Sequence, residues 1–132
     1  MNIAAVTDDG ITISQHFGRA RYYEVCFVEN SKVVRRERRE KLGHHSFAGG
    51  EEHHDHASSA HGLDAASHDK HVSMAEAIKD CGIVLARGMG NGAYQSMRQL
   101  DIQPIVTDIT NIDQAVQAVL DKTIIDHIER LH

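Results

Sequence analysis

Apolar positions along the chain fall in short blocks separated by turn residues. Ile3, Ala4, Ala5 and Val6 run in succession and stop at Asp8-Asp9-Gly10, so residues 2–7 read as a buried strand closed by a turn. Residues 22–28 are rich in aromatic and β-branched side chains. Glu29-Asn30-Ser31-Lys32 then makes a tight connection into Val33-Val34 and a basic run, which predicts a β-hairpin. Further on, Ser73-Met74-Ala75-Glu76 has the spacing of a capping box, and the helix it opens continues through Ala77 and Ile78 to an end at Cys81-Gly82. Ile83-Val84-Leu85-Ala86 is apolar and of strand length, and glycine-rich Gly88-Met89-Gly90-Asn91-Gly92 follows it. A helix over about residues 93–100 would pack through Met97 and Leu100, and Pro104-Ile105-Val106-Thr107 makes a last strand. Ile112, Val116, Val119 and Leu120 recur at helical spacing, and Ile124, Ile125, Ile128 and Leu131 suggest a short amphipathic tail.

The order is strand, hairpin, then helix–strand–helix–strand–helix. The alternating second half favours parallel pairing, and the hairpin supplies an antiparallel element. The expected fold is α/β: three layers, with a mixed five-stranded sheet, an N-terminal antiparallel hairpin and helices on both faces. No internal repeat is visible.

Charge divides the chain unevenly. Of its 132 residues, those from 43 to 71 hold five acids, one base and eight of the 11 histidines. The other 103 carry 14 acids and 13 bases, so the net charge of −5 sits mostly in that stretch. Its large apolar residues are Phe47 and Leu63, too few to offset the entropy of ordering it. It reads as a mobile histidine-rich insert in one domain spanning residues 1–132, with a core of a size that folds alone. No apolar stretch is long enough to span a bilayer, the first residues have no signal-peptide character, and two cysteines build no disulfide framework. A cytoplasmic protein with reduced thiols is expected.

Two segments offer chemistry. Ser14-Gln15-His16-Phe17-Gly18-Arg19-Ala20 leaves the first strand, where open α/β sheets commonly bind ligands. A neutral imidazole there can ligate a soft or borderline metal, and Arg19 can offset an anionic ligand. The bland alternative is a loop histidine bonded to backbone, with Phe17 as a core plug. Gly88-Met89-Gly90-Asn91-Gly92-Ala93 fits G-x-G-x-x-A but follows the fourth strand, whereas a dinucleotide fingerprint follows the first of its unit. Its glycines either let backbone amides line an anion-accepting concavity or serve a tight turn at positive φ.

His-Phe-Gly-Arg-Ala-x-Tyr, about ten residues after an opening strand, resembles the dinitrogenase iron–molybdenum cofactor biosynthesis family. The hairpin, the helix ending at Cys81-Gly82, the strand into Gly88-Met89-Gly90 and the helix closing at Leu100 before Pro104 agree with it. The resemblance covers roughly residues 1–42 and 72–121 and departs at the insert. It implies a ribonuclease-H-like fold that carries a metal–sulfur cluster, Fe–S or Mo-containing and of the FeMo-cofactor precursor type, without catalysis. Cofactor contacts are then expected at His16, Phe17, Gly18, Arg19, Gly88, Gly90 and Asn91, with His16 also a metal ligand. The implied partners are the inorganic cluster and the proteins that donate and receive it.

The insert supports a second reading. His53, His54 and His56, with Asp55, can present imidazoles and a carboxylate to Zn²⁺, Ni²⁺ or Co²⁺, which would make the protein a divalent-metal chaperone or buffer. The alternatives are adventitious binding, as in any histidine-rich tract, or none. A protein–protein adaptor is the third reading. An enzyme ranks last, because no nucleophile–base–orienter set can be assembled. Asp8 and Asp9 resemble the metal carboxylate of a nuclease only until their turn context is considered. Arg35-Arg36-Glu37-Arg38-Arg39-Glu40-Lys41 is interrupted by acids and reads as an exposed edge strand. Neither nucleic acid nor a membrane is an expected partner.

Overall fold

The computed structural model describes residues 1–41 and 75–131. The insert and the serine of the expected capping box lie outside these. Strand β1 (Asn2–Thr7) pairs antiparallel with β2 (Tyr22–Glu29), which pairs antiparallel with β3 (Lys32–Glu40). On its other side β1 runs parallel to β4 (Ile83–Ala86), and β4 runs parallel to β5 (Gln103–Val106). The sheet order is β3-β2-β1-β4-β5, the mixed five-stranded arrangement expected. Helix α1 (Asn91–Gln99) joins β4 to β5, and α2 (Ile112–Leu120) follows β5.

Each element has a local cause. Asn30 and Ser31, at φ 54° and 63°, turn the β2–β3 hairpin with the two positive-φ residues that match strand twist. Asn111 caps α2, its side chain accepting the Gln114 amide, and Ile112, Ala115 and Val116 form the buried stripe. Residues 75–80 form the closing turns of the helix before β4, ending where the Cys81 amide donates to the Ile78 carbonyl. Gly82 is not in the left-handed conformation expected of a helix-ending glycine. Its amide instead donates to the Asn2 carbonyl and starts the β4 ladder.

Both faces of the sheet centre are covered. Successive residues of β1 and β4 are buried, the pattern of strands packed on two sides. Strand β3 shows which element lies where, because its side chains alternate between faces. On one face Arg36 pairs with Glu24 at 3.1 Å and with Asp113 of α2 at 2.7 Å. On the other, Arg39 donates to Asp80 at 2.6 Å and to the Ala77 carbonyl at 2.9 Å. The helix before β4 and α2 therefore cover opposite faces. Strand β3 is otherwise exposed, the charged edge the basic run predicts.

The tail, expected to be short and amphipathic, is largely irregular. Only Ile128–Arg130 forms a short 3₁₀ turn, and Ile125 and Ile128 are exposed. The segment instead runs along β5: the His127 amide donates to the Val106 carbonyl at 2.7 Å, and Asp126 accepts the Val106 amide at 2.9 Å. Backbone pairing on an open sheet edge outweighs the weak helical spacing of four apolar residues.

Candidate functional site

Adjacent parallel strands β1 and β4 send their following loops in opposite directions. The chain leaves β1 toward β2 and leaves β4 toward β5, so their carboxyl ends form a topological switch point. The loop after β1 is built first by a turn. Buried Thr7 Oγ1 donates to the Thr12 carbonyl at 2.7 Å and accepts the Gly10 amide at 2.9 Å. Asp9 Oδ1 accepts the amides of Ile11 and Thr12 at 2.8 and 2.7 Å, and these bonds lower its carboxyl to about 2. Gly10, at φ 81°, takes the left-handed position. Asp8 accepts the Arg21 amide at 2.9 Å. Both acids thus organise the turn, as its composition predicts.

The chain then crosses the strand ends. Ser14 donates its amide to the Val6 carbonyl at 2.8 Å and accepts the Arg87 amide at 2.9 Å. Two residues on from Gln15, the Phe17 amide donates to the Gly88 carbonyl at 3.1 Å. The third loop joins them, with Ile13 donating to the Thr110 carbonyl at 2.8 Å. The two segments singled out in the sequence, around His16 and around Gly88, are therefore hydrogen-bonded neighbours on one rim.

Their side chains divide by role. Phe17 is buried, its ring centroid 6.4 Å from that of Tyr23, with Lys41 Nζ 4.8 Å from its own. It anchors the loop rather than facing the rim, so the core-plug reading holds for its side chain. The His16 carbonyl accepts the amides of Arg19 and Ala20 at 3.1 and 3.0 Å, and its amide is bonded to Ser14 Oγ at 3.1 Å. Its exposed imidazole has no hydrogen-bond partner among the described residues, and neither has the exposed Arg19 guanidinium. Gly18 is exposed, and a Cβ there would meet open space.

On the facing loop, Gly88 lies directly against the Gln15 carbonyl, where a Cβ would overlap the oxygen. Gly90, at φ −76° and ψ 151°, precedes α1 with no side-chain cap, and the first turn carries no acid. Neither glycine sits at positive φ, so close approach rather than left-handed geometry explains Gly88. Helix α1 starts at Asn91, two residues before the expected start, which puts exposed Asn91 in its first turn rather than in the loop. The uncapped amides there carry the positive end of the helix dipole.

The sequence reading passed over Arg87, the residue between β4 and Gly88. Its Nε is shut off from solvent with no hydrogen-bond partner. A basic residue at the carboxyl end of a central parallel strand was the available signal. The cysteines lie elsewhere. Cys26 and Cys81 are both buried, and Cys81 precedes β4, at the end opposite the rim. Burial, then the neighbouring Asp80 carboxylate, pushes the Cys81 thiol up to about 12. His53, His54 and His56 lie outside the described residues. Among the described residues no three His, Cys, Asp or Glu side chains group to hold a metal ion, and no helix is long and apolar enough to cross a membrane.

Fold and rim together define an α/β domain with a donor-rich, basic switch-point crest. The chain belongs to the dinitrogenase iron-molybdenum cofactor family, whose model matches residues 1–122. Among solved structures it is similar to PH0822, with 26% identity over 96% of each chain and a TM-score of 0.66. It shares its fold with the apo form of the orange protein from Desulfovibrio gigas, at 19% identity over 93% of this chain and 89% of that one, TM-score 0.60. It shares it too with MJ0327 of Methanocaldococcus jannaschii, at 10% identity over 94% and 91%, TM-score 0.60. No curated protein matches the chain.

Proposed function

We propose that this protein binds and carries an anionic metal–sulfur cluster, Fe–S or Mo-containing, without transforming it. The observation that carries the reading is the Phe17–Gly88 hydrogen bond, which joins the loop carrying His16, whose imidazole has no hydrogen-bond partner among the described residues, to the loop that leads into α1. The family description, which names the iron-molybdenum cofactor, supports the identity of the cargo.

The donor set suits such a cargo. A bare divalent ion needs three or four protein ligands, whereas the rim offers one imidazole. A cluster brings its own sulfur and its own negative charge, so one imidazole can fix a metal while Arg19 and the amides at the start of α1 neutralise charge. Gly18 leaves room beside His16, and exposed Asn91 adds a side-chain amide. An imidazole, a guanidinium and backbone amides suit the holding of an anionic cargo. Donor and recipient proteins would exchange the cargo at this exposed crest.

Anaerobic reconstitution with tetrathiomolybdate and iron, followed by desalting and visible absorption, tests the reading. Wild type should retain a chromophore, and His16→Ala should lose most of it. Equal retention by both removes His16 from the site, and no retention by wild type rejects cluster carriage.

A further inference from the structure

We infer that Arg87 is a second anchoring contact for the anionic cargo, an inference that rests on the carrier reading above. Arg87 is the first residue past β4, and its backbone is fixed at the crest by the bond from its amide to the Ser14 carbonyl at 2.9 Å. Its side chain is partly buried, and Nε is sealed from water with no acceptor. No other group of the guanidinium has a partner among the described residues. A sealed Nε–H is costly, because that group has given up hydration without gaining a hydrogen bond, while the rest of the half-buried guanidinium is left to meet solvent or a ligand.

The acids just past the neighbouring strands β1 and β5 are bonded to other groups. Asp8 accepts the Arg21 amide, Asp9 accepts those of Ile11 and Thr12, and Asp108, just past β5, lies 3.7 Å from His127. Other arginines show what this chain does when an arginine is structural. Arg36 reaches Glu24, Asp113 and the Gly10 carbonyl, and Arg39 reaches Glu37, Asp80 and the Ala77 carbonyl. Arg87 stands apart from that pattern, at the switch point where a ligand of this fold class sits. A planar fork of donors beside Gly88 suits an inorganic anion with several sulfur or oxygen acceptors.

The test uses the full chain and tetrathiomolybdate alone as the probe, with molybdate and sulfate as sulfur-free anions. Binding is read by spectral titration and by the rise in Tm, for wild type, Arg87→Gln, Arg87→Met and Arg87→Lys. Loss of a charged hydrogen-bond donor should weaken tetrathiomolybdate binding by Arg87→Gln and Arg87→Met at least about tenfold, with Arg87→Lys in between. The ligand-free Tm of Arg87→Met should equal or exceed that of wild type, since a sealed, unpaired N–H is removed; a structural arginine would lower it. Binding by Arg87→Gln as tight as wild type overturns the inference and leaves the carrier reading standing. A lowered ligand-free Tm in both Arg87→Gln and Arg87→Met also overturns it, by making the residue structural. Wild type that does not bind tetrathiomolybdate defeats the carrier reading and the inference together. Equal affinity for all three anions reduces the site to an anion subsite without sulfur preference, and overturns the assignment of a thiometallate cargo.

Discussion

Gly88 lies so close to the carbonyl oxygen of Gln15 that a single added carbon would overlap it, whereas a carbon added at Gly18 would touch nothing. The two glycines bear on the same His16 loop, one packed against its backbone at Gln15 and one within it facing open space. Gly88→Ala must push the His16 loop away from β4, breaking or stretching the Ser14–Arg87 and Phe17–Gly88 bonds. A loss of about 1–3 kcal/mol in urea unfolding is expected, with weaker cluster retention. Gly18→Ala should leave stability within about 0.5 kcal/mol of wild type, as at an unconstrained surface position. Equal stability of Gly88→Ala and wild type would show that the two loops are not locked together.

Much of this arrangement was legible from residue order. The turn acids, the hairpin and the apolar runs at residues 2–7 and 83–86 each carried a local signal, and the mixed sheet followed from their alternation with helices. What was not legible depended on partners distant in sequence. The close approach at Gly88 is set by Gln15, and the sealing of Arg87 Nε by the packing around the strand ends. Neither can be read from a glycine or an arginine in isolation. The course of the tail was not legible because its pairing partner, β5, lies some 20 residues back.

Asp80 joins the β3 edge to the helix before β4 through a two-pronged contact with Arg39, at 2.6 and 2.9 Å. That pairing lowers its carboxyl from 3.8 to about 2. A depressed carboxylate pKa contributes stability that is complete above the unfolded value and is lost as pH falls through the folded one. Asp80 is about half exposed, so solvent screening holds the contribution to about 0.5–1 kcal/mol. Asp80→Asn should therefore be less stable than wild type by about that amount at pH 7, and the gap should close between pH 4 and pH 2. A gap that persists unchanged at pH 2 would assign the effect to something other than this ion pair.

Both thiols should be inert in the folded protein. Cys81 is buried with its thiol pushed up to about 12, and burial also raises Cys26. Reactivity follows the thiolate, so iodoacetamide at pH 8 should leave both unmodified over a time in which denatured protein is fully alkylated. Mass spectrometry of intact protein reads the result. Rapid labelling of either cysteine without denaturant would mean that its strand or turn opens readily.

The histidine tract and the crest should be separable. Replacing His53, His54 and His56 by glutamine removes three of the 11 imidazoles and touches none of the rim residues. Zn²⁺ or Ni²⁺ stoichiometry by calorimetry should fall, while chromophore retention after cluster reconstitution stays at the wild-type level. A parallel loss of both would tie the tract to the carrier site.

Asp126 closes the far edge of the sheet with both carboxylate oxygens. Oδ1 accepts the amide of fully buried Val106 at 2.9 Å, and Oδ2 accepts the Tyr94 hydroxyl at 2.8 Å, drawing the tail, β5 and α1 together. Asp126→Ala strands the Val106 amide inside the protein, and leaving a buried donor unsatisfied costs about 1–3 kcal/mol. Asp126→Asn keeps an oxygen for that amide and turns its nitrogen toward the tyrosine oxygen, so most of the stability should survive. The pair of variants separates hydrogen bonding from charge: unfolding midpoints should fall in the order wild type, asparagine, alanine. Hydrogen exchange at Val106 should quicken only in the alanine variant. Were the two variants equally destabilised, the carboxylate's charge, rather than the acceptor it offers to β5, would be what holds the tail in place.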